Sequence, residues 1–129
     1  MTPHVGEFKS FFQLKNIDYT DIYNIQKIID ERIVILKSFN TFIITKDMIY
    51  IMDKGPSILA TAGTGDVLSG ILVSLLSQGY SRLEASILGT YLHAEAANYY
   101  MNNISKNGLT ASNLIDCIPS AFNELRKNV

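Results

Sequence analysis

Hydrophobic and polar positions follow one another in blocks that predict strands and helices in turn. Residues 1–8 are expected to form a loop, because proline restricts the residue before it to extended conformations. Apolar residues at helical spacing predict a helix over about Asp21–Glu31, with Thr20 as its N-cap. The wholly apolar run 33–36 predicts a strand buried on both faces, and two β-rich runs within 41–52 predict a hairpin.

Two helices are predicted in the middle of the chain. The stretch 61–66 leads directly into an apolar stripe at helical spacing, and Gly79 is expected to end that helix as its C-cap. Ser81 and Glu84 then match a capping box, in which each side chain meets a free backbone N–H. The helix that this box opens is expected to run to about Met101.

A last helix is expected to begin at a cap provided by Thr110 or Ser112. Pro119 is expected to bend or shorten it. Its apolar positions predict one inner face, made of Leu114, Ile118, Ala121, Phe122 and Leu125. Along the whole chain, the alternation of strand-like and helix-like stretches is typical of the α/β class.

Composition narrows the possible functions. The chain has 129 residues, of which 47% are hydrophobic, and this suits one domain with a real core. The 11 basic and 12 acidic side chains give a formal net charge of -1. The chain therefore has no excess of basic charge to bind the phosphates of a nucleic acid. The single cysteine, Cys117, excludes an internal disulfide framework and a multi-cysteine zinc site, so we interpret it as a small core residue.

No targeting or membrane segment is recognised in the sequence. The first residues lack the apolar run of a signal peptide, and the best apolar stretch, 67–76, is about half as long as a membrane span. We therefore expect a cytoplasmic protein with neither nucleic-acid nor membrane partners. His93, inside a predicted helix, is interpreted as a packing residue or a support for site residues.

The strongest local signal for chemistry is the run Ala62, Gly63, Thr64, Gly65 and Asp66 before an apolar helix. Its glycines allow a tight turn, and the helix start presents unpaired N–H groups and the positive end of the dipole. These features together suit a phosphate group. Asp66 would then take a proton from a nucleophile that attacks this phosphate. The alternative is that Gly65 only eases a turn and Asp66 caps the helix.

Two further clusters carry candidate chemistry. His4 can hydrogen-bond a ligand and Glu7 can bind a metal-bound water; the alternative is an exposed, frayed terminus. Between two predicted strands, Lys37 can meet a phosphate or line a nucleotide pocket; the alternative is an ordinary solvated lysine.

These clusters occur in an order that resembles the ADP-dependent NAD(P)H-hydrate dehydratases of the ribokinase-like superfamily. The resemblance is carried by TPHVGE, ILKSFNT, ATAGTGDVLSGILVSLLSQG, a stretch with YLH, and GLTASNLI, from Thr2 to about Pro119. It implies a ribokinase-like three-layer α/β/α fold. Family members carry several βα units before the TPH motif, so residues 1–129 are expected to be the C-terminal part of such a domain, truncated to its C-terminal half. The family usually has glycine where this chain has Ser38.

The resemblance implies repair of a damaged cofactor. A (6S)-NAD(P)H hydrate, in which the nicotinamide ring has added water, would be dehydrated back to NAD(P)H at the expense of ADP, giving AMP and phosphate. ADP would phosphorylate the ring hydroxyl, and the phosphate would then leave. Mg²⁺ is expected as cofactor and ADP as the phosphoryl-donating co-substrate.

The family's site residues carry over onto matching positions of this chain. Asp66 matches the catalytic base, which also contacts the substrate, and His4 matches a residue that contacts the hydrated cofactor. Gly65 matches a glycine that contacts AMP, and Glu7 is expected to support magnesium-bound waters. The loop that lines the nucleotide corresponds to Lys37, Ser38, Phe39, Asn40 and Thr41, and the phosphate-facing turn to Ala62, Gly63 and Thr64.

Two other hypotheses stay open. The chain can be a catalytically incomplete fragment that needs a separate N-terminal partner chain, or that forms a homo-oligomer through an exposed sheet edge. It can also be a small-molecule kinase, because the kinases of the same superfamily share the glycine turn and its aspartate.

Overall fold

The computed structural model describes residues 1–53 and 55–127. The chain divides into two compact units, Met1–Asp53 and Lys54–Val129, and each unit has its own hydrophobic core. The α/β content expected from the sequence is present, since strands lie in the first unit and long helices in the second. Within the described part of the chain, no helix has both the length and the apolarity needed to cross a membrane.

An antiparallel sheet and two short helices form the first unit. Its elements are α1 (Val5–Phe12), α2 (Tyr19–Gln26), β1 (Val34–Lys37), β2 (Thr41–Ile44) and β3 (Ile49–Met52). The strands lie in the order β1-β2-β3, and both neighbouring pairs are antiparallel. The predicted hairpin is therefore confirmed, and its turn is held by Thr45, whose amide and hydroxyl both donate to the carbonyl of Met48.

The first residues of the chain run parallel to β1 instead of forming the expected loop. The amides of Ile35 and Lys37 donate to the carbonyls of Met1 and Pro3, at 2.8 and 2.9 Å. A parallel bridge then joins His4 to Lys37, and α1 begins directly after it. The loop prediction for residues 1–8 is wrong because these backbone groups find partners on a strand that is distant in sequence.

Helix α2 is capped by Asp18 and not by Thr20. The side chain of Asp18 accepts from the amide of Asp21 at 2.9 Å, and the Asp21 carboxylate accepts from the amide of Asp18 at 3.1 Å. This reciprocal pair starts the helix earlier than predicted. The helix also ends earlier, at Gln26, and the chain then turns through Asp30, whose φ of 52° is left-handed.

The buried core of the first unit is formed by side chains of α1, α2, β1 and β2, together with Ile29 after α2. The first three residues of β1 are all buried, which confirms the strand predicted for 33–36. Ile28, which falls within the predicted helix Asp21–Glu31, is exposed because α2 ends before it at Gln26. The buried set is Phe8, Ile22, Ile25, Ile29, Val34, Leu36 and Ile44.

Three long helices and one short 3-10 helix form the second unit. They are the 3-10 helix Ser57–Leu59, α3 (Thr64–Ser77), α4 (Arg82–Asn103) and α5 (Ala111–Lys127). The C-cap of α3 is Gln78 and not Gly79 as predicted; Gly79 follows it with a φ of 94°, the left-handed conformation that commonly ends a helix one residue past the cap. Ser81 and Glu84 form the predicted capping box at the start of α4, with hydrogen bonds of 3.1 and 2.8 Å.

Helix α5 begins after Thr110 and continues past Pro119. The hydroxyl oxygen of Thr110 accepts from the amide of Asn113 at 3.1 Å, so Thr110 and not Ser112 serves as the cap. Pro119 lies inside the helix without shortening it. The helix packs against the core on both sides of the proline, through the buried residues Leu114, Cys117 and Ala121. The prediction that Cys117 is a core residue is confirmed, since it is a free, buried thiol.

Helix α4 packs closely against α3 at Gly89. A Cβ built on Gly89 would lie 2.8 Å from Cδ2 of Leu72, a distance that real side chains do not adopt. The glycine therefore leaves room for the Leu72 side chain of α3 to pack against α4. One turn further along α4, on the same face, lies His93.

Candidate functional site

The turn before α3 has a backbone conformation that favours glycine. Gly63 is the N-cap of α3 with a φ of 86°, and no side chain caps the helix at this position. An L-residue with a side chain is strained in this region. A Cβ on Gly63 would also lie 3.1 Å from the Cβ of Ala111, at the start of α5. Glycine is thus required here both by the turn and by the close approach of α5.

The first turn of α3 presents amide groups that can bind an anion. The amide of Thr64 donates to the carbonyl of Thr61 at 3.3 Å, whereas the amides of Gly65 and Asp66 have no acceptor among residues 1–53 and 55–127. Free N–H groups of this kind occur at every helix start and coincide with the positive end of the helix dipole. Together they can hold a phosphate group.

The Asp66 carboxylate lies at this same end of α3 and is exposed to solvent. Because Gly63 is the N-cap, the interpretation of Asp66 as a capping residue is wrong. Its charge still interacts favourably with the helix dipole. An exposed carboxylate next to two free amide donors can accept a proton from a nucleophile that attacks a bound phosphate.

Thr64 supports the turn from inside and does not present its hydroxyl to solvent. Its side chain is buried, and Oγ1 lies 2.7 Å from the carbonyl oxygen of Leu59 and 2.8 Å from that of Thr61. The hydroxyl therefore ties the start of α3 to the preceding segment. Ala62, in the same turn, is exposed.

His93 contacts the same turn from α4. Its imidazole is buried, and Nε2 lies 2.8 Å from the carbonyl oxygen of Thr64. A carbonyl oxygen only accepts hydrogen bonds, so Nε2 carries a proton and donates it. The sequence placed His93 in a supporting role, but no signal in it paired His93 with Thr64, which lies 29 residues earlier.

A groove of about 550 Å³ runs between α3 and α5, beginning at the glycine turn. Asp66 and Gly63 line one end, and Gln78 lines the other. Its walls are mostly apolar, with Ile71 from α3 and Phe122 from α5 as examples. Sequence reasoning missed this groove, because the apolar positions of α5 were assigned to a buried inner face.

In the first unit, His4 and Glu7 form a reciprocal cap at the start of α1. Nδ1 of His4 accepts from the amides of Gly6 and Glu7, at 3.0 and 3.2 Å, and the Glu7 carboxylate accepts from the amide of His4 at 2.9 Å. Since Nδ1 accepts, the proton of the neutral ring lies on Nε2. Nε2 lies 3.6 Å from the Glu7 carboxylate, which is too far for a hydrogen bond, and the His4 side chain is 62% exposed, so a ligand can reach this N–H.

The loop between β1 and β2 lies beside His4, because Lys37 is bridged to it through the backbone. Lys37 ends β1 opposite Thr41, the first residue of β2. Between them, the amide and hydroxyl of Ser38 both donate to the carbonyl of Asn40, at 3.2 and 2.8 Å. Phe39 is 93% exposed at the tip. The structure thus brings together His4 and the loop Lys37–Thr41 within the first unit.

The described residues contain no preformed metal-binding site. No group of three His, Cys, Asp or Glu side chains converges there in a way that could hold an ion. The Glu7 carboxylate, the candidate nearest to this role, is engaged in the cap of α1. The described residues therefore do not fit a dedicated Mg²⁺ site.

The order of these structural elements along the chain matches a known family. Residues 1–120 match the family described as NAD(P)H-hydrate dehydratase. The chain belongs to this NAD(P)H-hydrate dehydratase family. The resemblance seen in the sequence is therefore confirmed over nearly the whole chain.

Individual relatives agree with the family. The chain is 39% identical over 97 residues to the ADP-dependent (S)-NAD(P)H-hydrate dehydratase of Neisseria meningitidis serogroup B. This match covers 74% of this chain and 32% of that protein. It superimposes with a TM-score of 0.75 and 25% identity on the Bacillus subtilis ADP/ATP-dependent NAD(P)H-hydrate dehydratase, co-crystallised with ATP/Mg²⁺ and soaked with CoA. That match covers 95% of this chain and 47% of the solved chain.

The fold itself is confirmed by a more distant structure. A ribokinase-like superfamily protein from Enterococcus faecalis V583 superimposes with a TM-score of 0.79 at 22% identity, over 95% of this chain and 43% of that one. The predicted ribokinase-like α/β fold is thus correct. The chain spans about a third of the Neisseria relative and just under half of the solved chains.

Proposed function

We propose that this chain carries out, or forms the catalytic part of, the ADP-dependent dehydration of (6S)-NAD(P)H hydrate to NAD(P)H. The observation that supports this best is the start of α3, where the free amides of Gly65 and Asp66 accompany an exposed carboxylate. Residues 1–129 would then form the C-terminal part of a ribokinase-like domain.

In the first step, Asp66 acts as general base. Its carboxylate takes the proton of the ring hydroxyl, and the hydroxyl oxygen forms a bond to the β-phosphorus of ADP. The bond from that phosphorus to the bridging oxygen breaks, and AMP leaves with the bridging oxygen. The Gly65 amide, with Gly63 and Ala62 shaping its turn, would offset the negative charge on the transferred group.

In the second step, the hydroxyl leaves the ring as phosphate. The lone pair of the ring nitrogen forms a double bond to the adjacent carbon while the carbon–oxygen bond breaks. Loss of a proton from the neighbouring ring carbon then restores the dihydropyridine. The oxygen of the hydrate ends in phosphate, so one hydrate and one ADP give one NAD(P)H, one AMP and one phosphate.

Within the first unit, His4 and the loop Lys37–Thr41 are the groups that we propose to contact ligands. The exposed Nε2–H of His4 would donate to the hydrated cofactor, while Nδ1 accepts from the first amides of α1. The loop Lys37–Thr41 would line the nucleotide, with the Lys37 ammonium near its phosphates. Mg²⁺ would arrive with those phosphates, as it commonly does, and Glu7 would be at most an indirect support for its waters.

A second candidate is an incomplete fragment that acts only with a complementing N-terminal chain or as a homo-oligomer. The observation that favours it is coverage, since the chain matches only 47% of the solved Bacillus subtilis dehydratase. On this alternative, the residues above keep their roles, but turnover requires the second chain.

One assay separates these possibilities. The chain is incubated with ADP, Mg²⁺ and NADH hydrate, and NADH, AMP and phosphate are quantified together. Equal amounts of all three support the dehydratase. Products that form only after a family N-terminal half is added support the fragment. Phosphorylation of members of an alcohol panel, with the hydrate left unchanged, would instead identify a small-molecule kinase and overturn the proposal.

A further inference from the structure

The buried contact between His93 and Thr64 connects α4 to the peptide that carries the Gly65 amide. His93 is 7% exposed, and its Nε2–H donates to the Thr64 carbonyl over 2.8 Å. One turn earlier on α4, the Leu72 side chain of α3 packs directly against Gly89. The contact lies wholly within the second unit.

The carbonyl of Thr64 and the N–H of Gly65 belong to the same planar peptide unit. No cis peptide bond occurs among the described residues, so in this unit the C=O and the N–H point in opposite directions. A hydrogen bond that holds the oxygen therefore also sets the direction of the Gly65 N–H, which has no acceptor in the described part of the chain. The same bond polarises the peptide and makes that N–H a stronger donor.

Thr64 is held from a second side as well. Its Oγ1 lies within hydrogen-bonding distance of the carbonyls of Leu59 and Thr61, so its side chain is fixed while His93 fixes its carbonyl. A turn that must meet an anion needs its donors fixed beforehand, because reorientation on binding reduces affinity. A buried histidine provides this without approaching the anion itself.

We propose that His93 is a positioning residue for the phosphate-binding turn: it orients and polarises the Thr64–Gly65 peptide so that the Gly65 N–H binds the phosphate of the nucleotide. The inference rests on the proposed function, because ADP supplies that phosphate. A role in helix packing alone would affect stability and leave phosphate binding unchanged.

The test compares three variants of the full chain with the wild type. His93→Phe keeps a ring of similar volume and removes the donor, and His93→Gln restores an N–H near the position of Nε2. Tyr100→Phe is the matched control, because it removes another buried α4 donor, whose hydroxyl lies 3.4 Å from the carbonyl of Gly108. Dissociation constants are measured for ADP and for adenosine, which lacks phosphate, and the Gly65 amide resonance is followed in labelled protein.

We expect His93→Phe to weaken ADP binding about tenfold, the equivalent of one lost or misdirected hydrogen bond. Adenosine binding should change by less than about twofold, and the Gly65 amide resonance should shift even without ligand. His93→Gln should recover most of the ADP affinity, and Tyr100→Phe should bind ADP as the wild type does. This pattern separates positioning from a general loss of stability.

Equal ADP affinities in the wild type and His93→Phe would overturn the inference and leave the proposed function standing. An equal loss for ADP and adenosine would overturn it too, because phosphate would then not be the group affected. If the expected binding pattern appears but NADH hydrate is not turned over, the proposed function fails and the positioning role stands. Absence of ADP binding in the wild type would overturn both the positioning role and the proposed function.

Discussion

Gly63 and Ala111 lie so close together that a methyl group on Gly63 would come within 3.1 Å of the Ala111 Cβ. One residue begins α3 and the other begins α5, so the glycine turn and the start of the last helix share a single tight contact. Gly63 also has a φ of 86°, which a side chain makes costly. The turn before α3 therefore depends on glycine for two separate reasons.

From this relationship we expect Gly63→Ala to lower the free energy of unfolding by about 1–2 kcal/mol. Gly70→Ala is the matched control on the same helix, because nothing lies within 4 Å of a Cβ at that position. It should raise the free energy of unfolding by about 0.5–1 kcal/mol, since alanine favours helix interiors. Urea denaturation measures both, and equal effects of the two substitutions would contradict the role assigned to Gly63.

His4 combines a cap and a proposed ligand contact, and substitutions can separate the two. His4→Asn retains a side chain that caps helices well, whereas His4→Ala loses the cap and about 1 kcal/mol of stability. Because Asn cannot offer the exposed Nε2–H, we expect its KM for NADH hydrate to rise about tenfold while its unfolding stays near that of the wild type. Unchanged KM in a folded His4→Asn variant would limit His4 to capping.

The capping box of α4 makes stability depend on pH. Hydrogen bonds from the backbone amide and the side chain of Ser81 lower the pKa of the Glu84 carboxyl in the folded chain below its ordinary value of 4.5. A lowered folded pKa gives stability that is fully present above the unfolded pKa and is lost as pH falls through the folded pKa. We expect Glu84→Gln to weaken this acid-side dependence in thermal melting. A melting profile against pH identical to that of the wild type would contradict it.

Burial protects Cys117 from reaction. Removal from water, with a smaller contribution from the charge of Asp116, raises the pKa of the Cys117 thiol, so little thiolate forms at neutral pH. We expect iodoacetamide to label the native chain slowly and the same chain in guanidinium rapidly, as mass spectrometry can follow. Equally fast labelling in both conditions would show that the helices around Cys117 are not packed in solution.

The sequence predicted local features of this fold better than distant ones. The Ser81–Glu84 box depends on neighbours within a few residues and was correct, and the predicted C-cap of α3 was wrong by one residue, since Gly79 directly follows the cap Gln78. The start of α1 was missed because histidine is not among the usual capping residues, and because the residues before it pair with β1. Asp18 was overlooked in favour of Thr20 because only the reciprocal bond with Asp21 decides between them.

In the candidate site, too, features made by neighbouring residues could be predicted, and contacts between distant residues could not. The glycine turn, with Asp66 after it, was visible because its residues are contiguous. The contact of His93 with Thr64 joins residues on two helices, and its existence depends on how closely the helices pack at Gly89. The closeness of Ala111 to Gly63 likewise follows from packing between α5 and α3. No periodicity in one sequence carries such information.

The most direct test of the central claim is the ADP-dependent rate of NADH formation from NADH hydrate by the wild type and by Asp66→Asn. Glu84→Gln serves as control, since it neutralises a first-turn carboxylate on another helix. We expect Asp66→Asn to lower turnover by about two to four orders of magnitude while Glu84→Gln leaves it unchanged, because the proposed mechanism assigns the general base to Asp66 alone. An Asp66→Asn variant that forms NADH and AMP at the wild-type rate would contradict the claim.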